Sequence, residues 1–216
     1  MTKAFIFDMD GVIVDSERTW KHYGEPFYIK LFGKDIRKKI GDTRGITAKV
    51  VYERAVSNGF SMEQERFFKL FDKAMALIYA KSEIAKDIDK LGRKLIELGF
   101  KLGLVSSSRQ NWIDLILPRI EFSKQLTTVL SINDTPNLRS KPYPDGYKEA
   151  MKRLRSSPKT TIVLEDSNSG IQAAKEAGTY VIGFRQYLVP NYKQEGADVY
   201  ANNVYDVIKI VESLRF

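Results

Sequence analysis

Hydrophobic positions along this chain follow two different spacings, and the change between them divides it. Ala4 to Phe7 is apolar at every position, the pattern of a strand covered on both faces within a parallel sheet. Val12 to Val14 continue apolar, and Asp15-Ser16-Glu17 reads as a helix start whose acids suit the helix dipole. From residue 16 to residue 86 strand-like runs vanish and helical spacing takes over. Phe27, Leu31 and Phe32 fit one helix, and Val50, Val51, Arg54 and Ala55 another. Ser61-Met62-Glu63-Gln64 matches a capping box that opens a further helix through Phe67, Phe68, Leu70, Phe71, Met75 and Ile78. Gly33, Gly41-Asp42, Gly45 and Asn58-Gly59 punctuate these segments. Trp20, Phe67 and Phe71 are expected in the core of this helical stretch, and His22 on its surface.

Beyond residue 86 strands and helices alternate. A helix is predicted over residues 88–98 and ends at Gly99, followed by a strand over 100–105. A helix over 111–117 stops near Pro118, and a short strand covers 126–130. Asp145 is expected to cap a helix over 146–155. A strand over 160–164, a helix over 171–177 ending at Gly178, and strands over 180–183 and 199–201 follow. The last helix carries Val204, Val207, Ile208, Val211 and Leu214 on one face. The pattern predicts an α/β protein: a Rossmann-like parallel-sheet core with helices on both faces, plus an inserted all-α domain. The core is expected to comprise residues 1–15 and 87–216, and the insert residues 16–86.

Composition narrows the chemistry. A chain of 216 residues can bury a full core as one domain with an insert. No apolar run reaches the roughly 18 residues a membrane helix needs. Cysteine is absent, so disulfides, thiolate nucleophiles and cysteine metal sites are excluded. His22 is the single histidine, which leaves carboxylates, Lys, Ser/Thr and a metal to do chemistry. The net charge of +8 favours anions, phosphorylated metabolites and nucleic acid alike. The positive residues are spread out, apart from short clusters such as Arg37-Lys38-Lys39 and Lys152, Arg153 and Arg155, with no nucleic-acid-binding signature. The expectation is a solvated basic surface with a phosphate-friendly site, and neither a nucleic acid nor a membrane as partner. The N-terminus leads directly into a strand without a signal-peptide pattern, so a cytoplasmic monomer is expected.

The candidate chemistry begins where the first strand ends, at Asp8, Asp10 and Gly11. Open α/β sheets place ligands at this carboxyl edge. Two carboxylates so close repel unless a cation lies between them or one is protonated, which suggests Mg2+ and an acid/base pair. A strand followed by a helix capped by Asp15 or Ser16 would read the same way. Three more polar clusters fall at strand ends or in the loops after them: Ser106 to Ser108, Lys141, and Glu165/Asp166. Alone, each reads as a helix cap, a turn or an acidic helix start. In this order on this strand pattern, the four argue for one site.

The stretches FDMDGVIVDSE, VSSS, SKPYPDGY and LEDSNSG resemble the haloacid dehalogenase-like hydrolase superfamily, and the resemblance covers essentially the whole chain. It is nearest the β-phosphoglucomutase-like branch, with an α-helical cap after the first strand. The resemblance implies that Asp8 is the nucleophile and forms an aspartyl-phosphate. It implies that Asp10 is the general acid/base and binds Mg2+ through its backbone carbonyl. Asp166, with Glu165 beside it, would complete the metal site with Asp8. Ser106 and Lys141 would hold the phosphoryl oxygens, and Gly11, Ser107, Ser108 and Arg109 would lie along the bound phosphate. Gly41-Asp42-Thr43-Arg44 resembles the mutase stretch whose arginine grips a second phosphate. The mutase cap histidine, twelve residues after the nucleophile, is replaced here by Trp20, and His22 is displaced by about half a helical turn. The expected function is therefore Mg2+-dependent hydrolysis of a small phosphorylated metabolite, a sugar, polyol or nucleotide phosphate. The alternatives are a β-phosphoglucomutase or related sugar-phosphate mutase, and a non-enzymatic phosphate- or nucleic-acid-binding protein.

Overall fold

Ala4–Phe7, fully buried along its length, is the strand from which the sheet extends in both directions. In the computed structural model, which describes residues 2–41, 43 and 47–214, the chain divides into two compact units. The first is Met1–Glu17 together with Glu83–Phe216, and the second is Arg18–Ser82.

The strands are β1 (Ala4–Phe7), β2 (Val14–Asp15), β3 (Glu83–Ile84), β4 (Lys101–Ser106), β5 (Leu126–Ser131), β6 (Thr161–Glu165), β7 (Tyr180–Phe184) and β8 (Val199–Ala201). Six of them form a parallel sheet in the order β5-β4-β1-β6-β7-β8. From β1 the chain builds outward through β4 and β5, then crosses to β6 on the other flank of β1. Such a reversal of strand order marks the crevice where open α/β sheets bind ligands. The register pairs Phe7 with Leu104 on one side and Leu164 on the other, so β1, β4 and β6 present their carboxyl ends together.

The helices are α1 (Ser16–Thr19), α2 (Glu25–Phe32), α3 (Lys34–Ile40), α4 (Ala48–Ser57), α5 (Gln64–Lys81), α6 (Ile88–Glu97), α7 (Gln110–Ile116), α8 (Asp145–Leu154), α9 (Asn168–Glu176) and α10 (Val204–Ser213). Alternation along β1 sends Ala4 and Ile6 to one face, where they pack with Tyr147, Met151 and Leu154 of α8 and Ile171 of α9. Phe5 and Phe7 occupy the other face, with ring centroids 4.8 Å apart, and meet Phe100 at 6.3 Å and Phe122 at 5.3 Å. Gly92 of α6 lets that helix close on Phe122, since a Cβ there would fall 2.2 Å from its ring. The sheet is thus covered on both sides, as the unbroken apolar strands require.

Several local details differ from the sequence reading. The antiparallel pair β2/β3 was not expected, because two-residue strands carry no periodic signal. Helix α3 was also not expected: KDIRKKI has apolar residues only at Ile36 and Ile40. Ser61 is not the cap of α5, which starts at Gln64 with Glu63 at the N-cap position and no side-chain cap. Helix α9 begins three residues before the predicted start, because the Ser167 hydroxyl accepts the Gly170 N–H at 3.1 Å.

The second unit is helical, with a five-residue π-helical turn at Trp20–Gly24 between α1 and α2. Its core is aromatic. Phe67 is fully buried among Tyr52 at 5.1 Å, Phe71 at 5.9 Å and Phe32 at 6.0 Å. Trp20 packs edge-on against Tyr28 at 5.0 Å, and His22 is exposed beside Tyr23. Among the described residues no helix is long and apolar enough to cross a membrane. A unit this small has little core to spare. Replacing Phe67 with Ala is expected to cost about 3–5 kcal/mol of that unit's stability, read as a lowered urea midpoint. An unchanged midpoint would show that the ring cluster does not hold the unit together.

Candidate active site

The turn after β1 is built by one carbonyl and one glycine. The Met9 carbonyl accepts the N–H groups of Ile13 at 2.8 Å and Val14 at 3.1 Å, and Gly11 N–H donates to Val14 O at 2.8 Å. Gly11 has φ +74°, a left-handed conformation that glycine adopts without strain. It is also required sterically, since a Cβ there would lie 2.0 Å from Asp166 Oδ2. The same absence of a side chain lets the Asp166 carboxylate reach the turn. Asp8 begins the turn, buried, with its N–H donated to Leu164 O at 3.0 Å.

Lys141 draws the acids together. Its Nζ donates to Asp8 Oδ1 at 2.5 Å and to Glu165 Oε1 at 2.5 Å, and its side chain is only 8% exposed. Glu165 is fully buried, and its carboxylate accepts from four donors. Lys141 and the Tyr147 hydroxyl, at 2.9 Å, share Oε1, while the Ser167 N–H and hydroxyl share Oε2 at 3.0 Å each. Burial pushes the Asp8 carboxyl up, with Lys141 opposing it and Glu165 and Asp10 adding to it. Burial also raises Asp166, reinforced by Glu165 and Asp8. For Lys141 burial alone would favour the neutral amine, but Asp8 and Glu165 together hold the ammonium well above its ordinary range. The lysine is therefore a fixed cation among buried acids.

Asp10 is held by two hydroxyls: Ser16 Oγ donates to Oδ1 at 2.6 Å and Ser108 Oγ to Oδ2 at 2.8 Å. Ser106 is fully buried, and its Oγ accepts the Ser108 N–H at 2.9 Å. Ser131 Oγ donates to Ser108 O at 2.8 Å, while the Ser107 carbonyl accepts from Asn133 Nδ2. Arg109 is exposed, with its guanidinium 3.7 Å from Asp134. Arg44 lies outside the described residues. The loop carrying Lys141 is closed by an ion pair not read from the sequence. Arg139 Nε and Nη2 donate to Asp145 Oδ2 and Oδ1 at 2.9 and 2.8 Å, and the guanidinium stacks 4.2 Å from the Tyr143 ring centroid. Asp145 is consequently not the cap of α8 that its position suggests; the helix starts at Asp145 with Pro144 before it. Ser16, Tyr147 and Arg139 were missed as site or support residues. Tyr147 lies inside SKPYPDGY, yet only the fold reveals that its hydroxyl faces Glu165.

One carboxylate oxygen each from Asp8, Glu165 and Asp166 lies within 4.8 Å of the others. This donor set suits a hard divalent cation. The raised Asp8 and Asp166 carboxyls point the same way, since Asp8 is buried and Asp166 half-buried beside other acids. Both oxygens of Glu165 already accept hydrogen bonds, so Asp8 and Asp166 are the better-placed donors.

Acids at the carboxyl ends of β1 and β6, a loop lysine between them and serines at the end of β4 thus meet at one edge of a Rossmann-like sheet. Residues 5–184 match the family described as haloacid dehalogenase-like hydrolase, and the chain belongs to that family and is an enzyme of that class. It is 30% identical to hexitol phosphatase B of Escherichia coli (strain K12) over 81% of this chain and 79% of that protein. It is 28% identical to the beta-phosphoglucomutase of Bacillus subtilis (strain 168), over 85% of this chain and 84% of that one. The fold matches CbbY from Rhodobacter sphaeroides, solved in complex with phosphate, with a TM-score of 0.75 at 17% identity, covering 94% of this chain and 95% of that one.

The Arg139–Asp145 pair carries its own pH signature. Hydrogen bonds from the Arg139 side chain and backbone N–H hold the Asp145 carboxyl down at about 2. An unfolded aspartate titrates near 3.9. The pair's contribution to stability is thus present above about pH 4 and is lost as pH falls toward 2. The urea-midpoint difference between wild type and Arg139→Ala is expected to be full at pH 6 and to shrink below pH 4. A difference that stays constant from pH 6 to pH 3 would contradict this assignment.

Proposed function

We propose that this hydrolase is a Mg2+-dependent cytoplasmic phosphomonoesterase for a small phosphorylated metabolite, a sugar or polyol phosphate before a nucleotide. The observation that carries the reading is Lys141 bridging Asp8 and Glu165 at 2.5 Å each, with Asp166 alongside. The Asp8 carboxylate attacks phosphorus, and the bond from phosphorus to the substrate oxygen breaks. Asp10 gives its proton to the departing alkoxide, which leaves as the alcohol. Asp10, now a carboxylate, takes a proton from water, whose oxygen attacks the aspartyl-phosphate. Inorganic phosphate departs and Asp8 is regenerated. Ser16 and Ser108 fix the Asp10 carboxylate for both transfers. Lys141 lowers the repulsion between Asp8 and an incoming phosphate dianion, which is the main demand in phosphoryl transfer. Ser106 and Ser107 offer donors to the phosphoryl oxygens, while the Ser108 N–H and hydroxyl are given to Ser106 Oγ and Asp10.

Asp8 and Asp166 would hold the Mg2+, with the Asp10 carbonyl and Glu165 adjacent. The bound cation supplies charge neutralisation and orientation of the phosphoryl group. The helical unit is read as the cap that selects the substrate. It carries fourteen Lys and Arg against seven Asp and Glu, seven of the chain's net +8, which favours an anionic metabolite. The hexitol phosphatase relative and the phosphate-bound CbbY structure support a sugar or polyol phosphate. The mutase relative keeps interconversion of sugar phosphates as a second reading. Trp20 weighs against it, because an indole packed on Tyr28 replaces the mutase histidine and His22 is exposed. A purely binding role would leave the ordered acid/base pair without a purpose.

Replacing Asp8 with Asn is expected to lower phosphate release from an aryl phosphate in Mg2+ by at least about 10²–10³-fold. Chelating the metal should abolish wild-type release, and added Mg2+ should restore it. A wild type that releases phosphate from hexitol or other polyol phosphates fits the substrate class. Undiminished turnover in the Asn variant would remove Asp8 as nucleophile.

A further inference from the structure

Asp166 lies one residue beyond β6, where the sheet ladder no longer holds the backbone. Its half-buried carboxylate nonetheless lies beside Asp8 and Glu165, with one oxygen of each within 4.8 Å of the others. Something outside the sheet must keep residues 165–168 in place. The segment from Tyr192 to Glu195 meets this requirement.

Gln194, only 4% exposed, donates from Nε2 to Asp166 O at 2.8 Å and to Glu165 O and Phe184 O at 3.2 Å each. Its two N–H bonds thus serve three carbonyls at the ends of β6 and β7. Arg185 Nε donates to Gln194 Oε1 at 3.3 Å, which fixes the orientation of the amide. Gly183 on β7 leaves room for this arrangement, since a Cβ there would lie 2.8 Å from Gln194 Oε1 and 2.6 Å from the Tyr200 ring. Around it, the Tyr192 hydroxyl accepts the Asn168 N–H at 2.7 Å, and Asn168 Nδ2 donates to Lys193 O at 2.9 Å. Glu195 N–H donates to Asn168 Oδ1 at 2.9 Å. One four-residue strap therefore grips the backbone of Glu165, Asp166 and Asn168.

We propose that Gln194, assisted by Tyr192, is a positioning residue that holds the Asp166 loop in the geometry needed to bind the cation. The proposal rests on the functional reading above and adds to it a support segment far away in sequence. Residues that orient metal ligands from behind typically change metal affinity by 10–100-fold when replaced.

The experiment compares wild type with Gln194→Met, which keeps the bulk and removes the donors, and with Tyr192→Phe. Two quantities are read: the Mg2+ concentration giving half-maximal aryl phosphate hydrolysis, and the rise in Tm that Mg2+ produces in metal-free protein. For Gln194→Met the half-maximal concentration is expected to increase about 10-fold or more, with a smaller Mg2+-induced rise in Tm at fixed Mg2+. Turnover at saturating Mg2+ should fall much less. Tyr192→Phe should shift both quantities in the same direction, and it decides the matter should Gln194→Met fail to fold. Variants with a lowered metal-free Tm but a wild-type Mg2+ response would overturn the proposal, because a merely structural strap does exactly that much and no more. A wild type without any Mg2+ response would instead overturn the site reading itself, and the strap with it.

Discussion

The structure of the site depends on a single buried cation. Lys141 lies between two acids, one at the end of each of two adjacent strands, and is almost fully withdrawn from water. Removing such charges from solvent is costly, and it is tolerated only where the geometry is close and the remaining lone pairs are filled. Both conditions are met: the contacts are 2.5 Å, and Tyr147 and Ser167 fill the rest of Glu165. With Glu165 saturated, the Asp8 and Asp166 carboxyls are pushed up, by burial first and by the neighbouring acids after it. Three acids against one lysine leave the array two positive charges short, which matches a divalent ion and poorly suits a bare polyanion.

The parallel sheet is what makes this concentration of charge possible. Every strand of a parallel sheet ends at the same edge, so segments more than a hundred residues apart deliver side chains to one place. That is also why much of the site could be read in the sequence. Asp8, Ser106 and Glu165 each stand directly after a largely apolar run, with Asp10 and Asp166 one or two residues further on, and the order of those runs follows a simple alternation. The expected parallel core with flanking helices is the observed one.

What could not be read depends on pairings that sequence spacing does not encode. The Asp145 position looks like a helix cap, and locally nothing contradicts that. In the folded loop the Arg139 guanidinium takes the carboxylate instead, because a two-pronged charged hydrogen bond is stronger than a single backbone one. Gln194 sits in a polar stretch without periodicity, and its importance appears only when β7 brings it under the β6 loop. Ser16 reads as part of a helix start, yet its hydroxyl goes to Asp10 across the turn. Helix α3 escaped because its charged surface leaves two isoleucines as the only apolar signal. In each case the residue type was visible and its partner was not.

The central claim is that acids from the ends of β1 and β6 share one cation while Lys141 keeps Asp8 in place. A crystal structure grown with Mg2+ and inorganic phosphate tests it most directly. The account predicts an ion ligated by Asp8 and Asp166, with phosphate between it, Lys141 and Ser106. Phosphate bound elsewhere, or Asp8 and Asp166 separated with no ion joining them, would contradict it.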